Sequence, residues 1–296
     1  MAKAYASKSS SKIAVVRTVG ALRREVAAWR RGGAKIGLVP TMGALHEGHL
    51  SLACIAKDQA DRVVVSIFVN PKQFAPHEDF ERYPRDLDGD LSQLAPTGVE
   101  LVYVPEGDVI YPDGFATKIS VAGVGTGLEA DFRPHFFDGV ATVVTKLLVQ
   151  CGPDIAVFGE KDYQQLLVIR RLVRDLDLPV TILAAPIVRE ADGLARSSRN
   201  RYLNPSQRKI AGSLNVRLAD AAAGISQGDD IGTTLIRCRS ALLKGGFDRV
   251  DYVELRDAES LAPMTWFDRP ARLLAAVWIG TTRLIDNRPV ELRSGG

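Results

Sequence analysis

Apolar residues fall along this chain in two rhythms. Five short apolar runs, at 35–39, 62–69, 100–104, 155–158 and 180–184, alternate with stretches of helical spacing. That alternation predicts a parallel sheet joined by crossover helices. The helical rhythm is plainest after Asp138. There Val140, Val143, Val144, Leu147 and Leu148 recur as one buried face, and Gly152-Pro153 ends the pattern. Residues 63–69 are apolar except for Ser66, as a strand covered on both faces requires, and Asn70-Pro71 stops it. Open sheets of this class bind ligands beyond the carboxyl ends of their strands. The segments after Val39, Val69 and Phe158 are therefore expected to converge on one site.

From about Arg189 the pattern changes. Two helical stretches, 205–224 and 231–243, precede short strands near 250–255, 273–278 and 282–287. The expected fold class is α/β: a Rossmann-like parallel-sheet domain over 1–187, followed by a smaller α+β domain over 188–296 that acts as a lid. Without repeats or low-complexity sequence, the join near Val188 is a short hinge.

Composition adds limits. The 296 residues, 46% apolar and 25% charged, describe a folded globular protein. A net charge of +3 is too small for a nucleic-acid binder and leaves room only for a local anion site. Cys54, Cys151 and Cys238 are odd in number and far apart, which favours neither a disulfide framework nor a zinc site and fits a reducing cytoplasm. Met1 to Ser11 lacks the apolar run of a signal peptide and is expected to be a frayed tail; no later run reaches transmembrane length.

The first strand leads into Pro40-Thr41-Met42-Gly43-Ala44-Leu45-His46-Glu47-Gly48-His49, followed by a helical stretch with Leu52, Ile55 and Ala56 on one face. Both histidines thus fall at a helix start. Unpaired backbone N–H groups and the positive end of the helix dipole favour anions there, and imidazoles donate to phosphate oxygens. Histidines that merely satisfy a polar turn are the plainer alternative. A zinc protease needs its histidines at i and i+4, whereas these stand at i and i+3, so zinc fails on spacing.

With Phe68-Val69-Asn70-Pro71, Gln73-Phe74, Gly159-Glu160-Lys161-Asp162-Tyr163-Gln164-Gln165 and Ser197-Ser198-Arg199-Asn200, this turn resembles the pantothenate synthetase (pantoate–β-alanine ligase) family. The motifs stand in the family's order and the likeness runs over roughly residues 19–287. A His-x-Gly-His turn alone is shared by the wider nucleotidyltransferase superfamily. The resemblance implies condensation of D-pantoate with β-alanine in pantothenate and coenzyme A biosynthesis. ATP is cleaved to AMP and pyrophosphate through a bound pantoyl adenylate. It also implies that His46 and His49 contact the phosphates and that Lys161 reaches the transferring phosphoryl group. Ser197, Ser198 and Arg199 would form a mobile clasp. Met42, Gly43, Ala44, Leu45, Glu47, Gly48, Gly159, Glu160, Asp162, Val188 and Arg196 would complete the ATP site. Gln73 and Gln165 would hold pantoate, with Asn70 and Met42 closing its pocket. Magnesium is implied with ATP, Asp90 and Gln93 matching positions near the metal, and the family implies a homodimer. Lysine as a point charge, arginine as a fork and serine hydroxyls suit charge moving onto phosphate oxygens, and no unusual pKa is required.

Some positions depart from the family pattern. Arg196 stands where Met or Leu is usual, Lys72 where an apolar residue is usual, Phe136 in place of histidine beside His135, and Gly89 where an acidic residue often occurs. The first three are expected to add positive charge near the phosphates. Two rival functions stay open on sequence grounds: a nucleotidyltransferase acting on another small substrate, and an adenylate-binding regulatory protein without turnover. Gly123-Val124-Gly125-Thr126-Gly127 does not match a dinucleotide fingerprint and reads as a loop, while Asp257 and Glu259 read as solvated.

Overall fold

The protein, described by a computed structural model over residues 13–75 and 78–292, builds two sheets in sequence. The tail expected at Met1 to Ser11 lies outside the described residues. The chain runs β1 (Ala14–Val16), α1 (Val19–Arg31), β2 (Ile36–Thr41), α2 (Glu47–Gln59), β3 (Arg62–Ile67), α3 (Leu87–Leu94) and β4 (Leu101–Tyr103). Short helices α4 (Gly107–Ile110) and α5 (Glu129–Phe132) lead to α6 (Phe136–Cys151), β5 (Ile155–Gly159), α7 (Tyr163–Asp175) and β6 (Thr181–Ala185). The second part holds α8 (Pro205–Ser226), α9 (Ile231–Lys244), β7 (Arg249–Asp257), β8 (Ala271–Ile279) and β9 (Thr282–Val290).

The first sheet is parallel throughout, in the order β1-β4-β3-β2-β5-β6. Its strands alternate between two cores. Leu38, Val64, Leu101 and Phe158 face α1, α6 and α7, whereas Val39, Val63, Val65, Val102 and Val157 face α2 and α3. Strand order turns at β2, which pairs with β3 on one side and β5 on the other. A crevice opens at such a switch point, and the turns after β2 and β5 flank it.

The second sheet is antiparallel, β7-β8-β9. Leu273, Ala275 and Val277 of β8 pack with α8 and α9, while Leu274 and Ala276 join the core of the large sheet. A smaller domain covered on both faces results. β1 and α1 were not expected from the sequence. β1 is three residues long and, though apolar, largely exposed, too short a run to stand out as a strand. β3 stops at Ile67, two residues short of the expected end, although Phe68 N still donates to Thr41 O at 3.1 Å.

Candidate active site

The turn after β2 is a strained loop held from beneath. Gly43 has φ of 77°, and a Cβ there would meet Asp90 Oδ2 at 2.9 Å, so glycine is required twice over. Ala44 also lies at positive φ, 50°, a conformation that costs roughly 1 kcal/mol or more without compensation. Compensation comes from Asp90, whose Oδ2 accepts from Ala44 N at 3.0 Å and Oδ1 from Leu45 N at 2.7 Å. Gln93 Nε2 donates to Leu45 O at 3.1 Å. Both residues expected near a metal thus brace the histidine loop. Asp90 is 3% exposed and each of its oxygens accepts one loop N–H; among the described residues no group of three or more His, Cys, Asp or Glu side chains is placed to hold a metal.

His46 caps α2, its Nδ1 accepting from Gly48 N at 3.1 Å, which puts the ring proton on Nε2. Gly48 is needed because a Cβ would lie 2.9 Å from that ring. The His49 ring stacks on His46 with centroids 4.0 Å apart, and His49 Nδ1 is buried without a protein partner. Burial, then the charges of Lys161 and Arg196, lowers His46 from 6.5 to about 4. Burial, then His46 and Lys161, lowers His49 to about 3. The sequence called for no unusual pKa, yet two imidazoles packed together beside cations are both held neutral.

A cleft of about 530 Å³ lies against this turn. Met42, His49, Asn70, Gln73, Lys161, Asp162, Gln165, Ser197 and Arg199 line it, while Val140, Val143 and Leu147 of α6 supply an apolar wall. His46, Ser198, Arg196, Glu160, Val188 and the backbone of 43–48 and Gly159 stand outside that lining. Two of the lining amides, Asn70 and Gln73, bond to each other. Asn70, 1% exposed, accepts from Tyr111 OH at 2.7 Å and donates to Gln73 Oε1 at 3.0 Å. Gln73 Nε2 in turn reaches Met42 Sδ at 2.9 Å. The adjacent glutamines of α7 both line the cleft but differ in role: buried Gln164 spends its amide on the Val124, Thr126 and Gly127 carbonyls.

A hairpin closed by Arg189 and Ala195 carries the serine-arginine segment, with Arg196 N donating to Val188 O at 2.9 Å. Arg199 is gripped by Asp79, Nε to Oδ2 at 3.2 Å and Nη2 to Oδ1 at 2.9 Å, and Tyr83 OH meets Ser198 Oγ at 3.3 Å. The neighbouring Glu78 binds Arg133 at 2.5 and 2.7 Å, and Arg133 Nη2 donates to Gln73 O at 3.1 Å. Sequence reasoning missed Glu78, Asp79 and Arg133, since loop residues paired 55 and 120 positions apart leave no periodic signal.

The departures take up local duties. Arg196 pairs with Glu47 at 2.7 Å, which offsets its charge. Lys72 does not line the cleft; its Nζ sits 5.1 Å from the Tyr111 ring centre. Phe136 lies under the Arg133 guanidinium at 3.8 Å. The added positive charge expected from Lys72 is therefore turned onto aromatic rings.

The family model described as "Pantoate-beta-alanine ligase" matches residues 14–289. The chain belongs to the pantoate–β-alanine ligase family. It is 56% identical over 282 residues to the pantothenate synthetase of Mesorhizobium japonicum, covering 95% of this chain and 99% of that protein. It is 55% identical over 282 residues to that of Paramagnetospirillum magneticum, again covering 95% and 99%. Among solved structures, Thermus thermophilus pantothenate synthetase superposes with a TM-score of 0.88 at 44% identity, covering 94% of this chain and 100% of that one. A Francisella tularensis pantoate–β-alanine ligase, described as complexed with β-γ ATP and β-alanine, gives 0.79 at 34% identity, covering 96% and 99%. As a ligase of this family the protein joins pantoate and β-alanine to form pantothenate, with ATP as co-substrate. Family membership removes the rival reading of a nucleotidyltransferase for another substrate.

Proposed function

We propose that the cleft performs the ligation in two steps through a pantoyl adenylate. A pantoate carboxylate oxygen bonds to the α-phosphorus of ATP as the bond to pyrophosphate breaks. The β-alanine nitrogen then bonds to the acyl carbon as the bond to AMP breaks, and the amine proton leaves to solvent. The supporting observation is the set of side chains that line the cleft. The neutral His49 imidazole, stacked on His46, supplies with Lys161 and Arg199 the donors suited to phosphate, whereas Asn70, Gln73 and Gln165 present uncharged amides. Amides hold a hydroxy acid without neutralising its nucleophilic oxygen, and fixed cations stabilise charge building on phosphate.

In this reading His46 and His49 donate to phosphate oxygens from the α2 amino end. Lys161 meets the transferring phosphoryl group, Asp162 the nucleotide, and Ser197, Ser198 and Arg199 close over the phosphates. With values of about 4 and 3, the histidines are too weak as bases to take the β-alanine proton. Asp90 and Gln93 support the loop through both Asp90 oxygens and Gln93 Nε2, and Gln93 Oε1 would be the atom left to approach a metal. A metal carried by the triphosphate needs few protein ligands, and that is the form assigned here. The reading extends to a cytoplasmic homodimer without nucleic-acid partners, divided near Val188, whose smaller domain closes as a lid. Among the described residues no helix is long and apolar enough to cross a membrane.

The test is incubation with ATP, magnesium and D-pantoate, with and without β-alanine, following AMP, pyrophosphate and pantothenate. AMP and pantothenate rising together only when β-alanine is present is the expected result. ATP bound without any turnover would support a regulatory protein instead. Light scattering showing a monomer would remove the homodimer.

A further inference from the structure

The turn that carries Lys161 is held by a strand of the other sheet. Glu160 to Asp162 form a single turn of 3₁₀ helix before α7, and no side chain caps either start from within. The nearest carboxylate to Lys161 Nζ, on Asp162, is 3.7 Å away. Backbone placement therefore decides where the lysine stands. Asn287 on β9 supplies it: one buried amide nitrogen, Nδ2, donates to Glu160 O and to Lys161 O, each at 2.9 Å. Asn287 is 2% exposed, and its Oδ1 accepts from Arg272 Nε at 2.6 Å. Since the arginine only donates, it fixes which end of the amide faces the two carbonyls. Arg272 is itself locked, with Nη2 on Glu160 Oε2 at 3.0 Å and its guanidinium 4.1 Å from the Tyr163 ring centre.

The preceding residue works on the other phosphate-facing segment. Asp286, 2% exposed, receives the Arg189 fork at 2.7 and 2.9 Å, and Arg189 pairs with Ala195 at the base of the hairpin that leads into Ser197. Two consecutive residues of β9 thus anchor the Lys161 turn and the base of the clasp.

We propose that Asn287 is a positioning residue for Lys161, oriented by Arg272, so that the small sheet sets where the lysine meets the transferring phosphoryl group. This rests on the role given to Lys161 above. Asn287→Asp is the sharp variant: it keeps the size and the Arg272 contact but sets carboxylate oxygen against two carbonyl oxygens. Adenylate formation, followed as pyrophosphate exchange into ATP with pantoate and no β-alanine, should slow by about 10- to 100-fold in Asn287→Asp and Asn287→Ala, the scale of loss that misplacement brings. The pantoate KM should stay within about twofold, and conversion of supplied pantoyl adenylate with β-alanine should keep its rate. Asn287→Ala added to Lys161→Ala should slow adenylate formation no further than Lys161→Ala alone. If the Asp variant does not fold, Asn287→Ser, with a single hydroxyl donor, should show a smaller loss confined to the same step. Equal slowing of both half-reactions, or a further loss in the Lys161→Ala background, would overturn the proposal while leaving the Lys161 reading intact. Lys161→Ala with undiminished adenylate formation would overturn both.

Discussion

A histidine serves a phosphate site best as a neutral donor whose proton position is settled in advance. His46 achieves this by accepting Gly48 N–H at Nδ1, and burial keeps both it and His49 uncharged through the physiological range. The same depression ties the pair to stability. Unfolded histidines take up protons near 6.5, whereas the folded ones wait until about 4 and 3. Their contribution is full above pH 6.5 and is lost progressively as pH falls towards those folded values. His46→Asn and His49→Asn should lose less melting temperature than the parent between neutral pH and about pH 4.5. Losses equal to the parent's would count against buried neutral imidazoles. Asp90 gives a second prediction at this scale. Asn in its place keeps one acceptor oxygen for two loop N–H groups, leaving one donor buried and unpaired. Asp90→Asn should cost about 1–3 kcal/mol in urea denaturation, with a loss of ATP affinity that accompanies a loosened loop. Unchanged stability would show that Ala44 and Leu45 find other partners.

At the scale of elements, what the sequence made legible followed burial. β2, β3 and β5 are apolar on both faces because helices cover both, and α6 shows its face because its buried stripe runs for sixteen residues. The His-Glu-Gly-His turn was legible too, since glycine spacing and a following helix reflect backbone demands. The segment around Asp79 was not. Its meaning lies in pairings with Arg133 on one side and Arg199 on the other, and ion pairs between distant loops follow no period. The role of Asn287 was hidden for the same reason: a strand asparagine reads as ordinary polarity until the turn it grips is seen. Asp79 carries a prediction of its own. Burial raises its carboxyl, but the Arg199 hydrogen bonds and charge outweigh that and hold it below the usual carboxylate range. An anionic ligand that needs Arg199 must therefore compete with Asp79. Asp79→Asn should tighten binding of a non-hydrolysable ATP analogue by about fivefold in calorimetry, matching a partly exposed ion pair of about 1 kcal/mol. Weaker binding would mean that Asp79 instead holds Arg199 in its ligand-ready place.

Across the whole molecule, the two sheets share more than a hinge. Tyr252, Leu274 and Ala276 of the small sheet belong to the same apolar core as Leu38 and Phe158 of the large one. Beside them runs a chain of buried charge. Glu129 of α5 accepts from Tyr252 OH at 2.7 Å and pairs with Arg283 of β9 at 2.6 Å. Arg283 Nε donates to Asp251 at 2.8 Å, and Asp251 also takes the Trp278 indole N–H at 2.9 Å. Glu129 and Asp251 side chains are 8% and 2% exposed, and without the arginine the cations they keep are Arg133 at 3.8 Å and the exposed Arg249 at 3.0 Å. Arg283→Met should therefore cost about 3–5 kcal/mol, the range for breaking a buried pair from one side. Adding Glu129→Gln should restore part of that loss, because the uncompensated charge goes with it and Tyr252 keeps an acceptor. Fluorescence and circular dichroism in urea should show one coincident transition for the parent. If Arg283→Met separated those two signals while leaving the first transition at the parent's midpoint, the pair would be a tie between independently stable sheets. A single transition moved to lower urea, partly recovered in the double variant, would show that the sheet bearing Asn287 and the sheet bearing Lys161 fold as one unit.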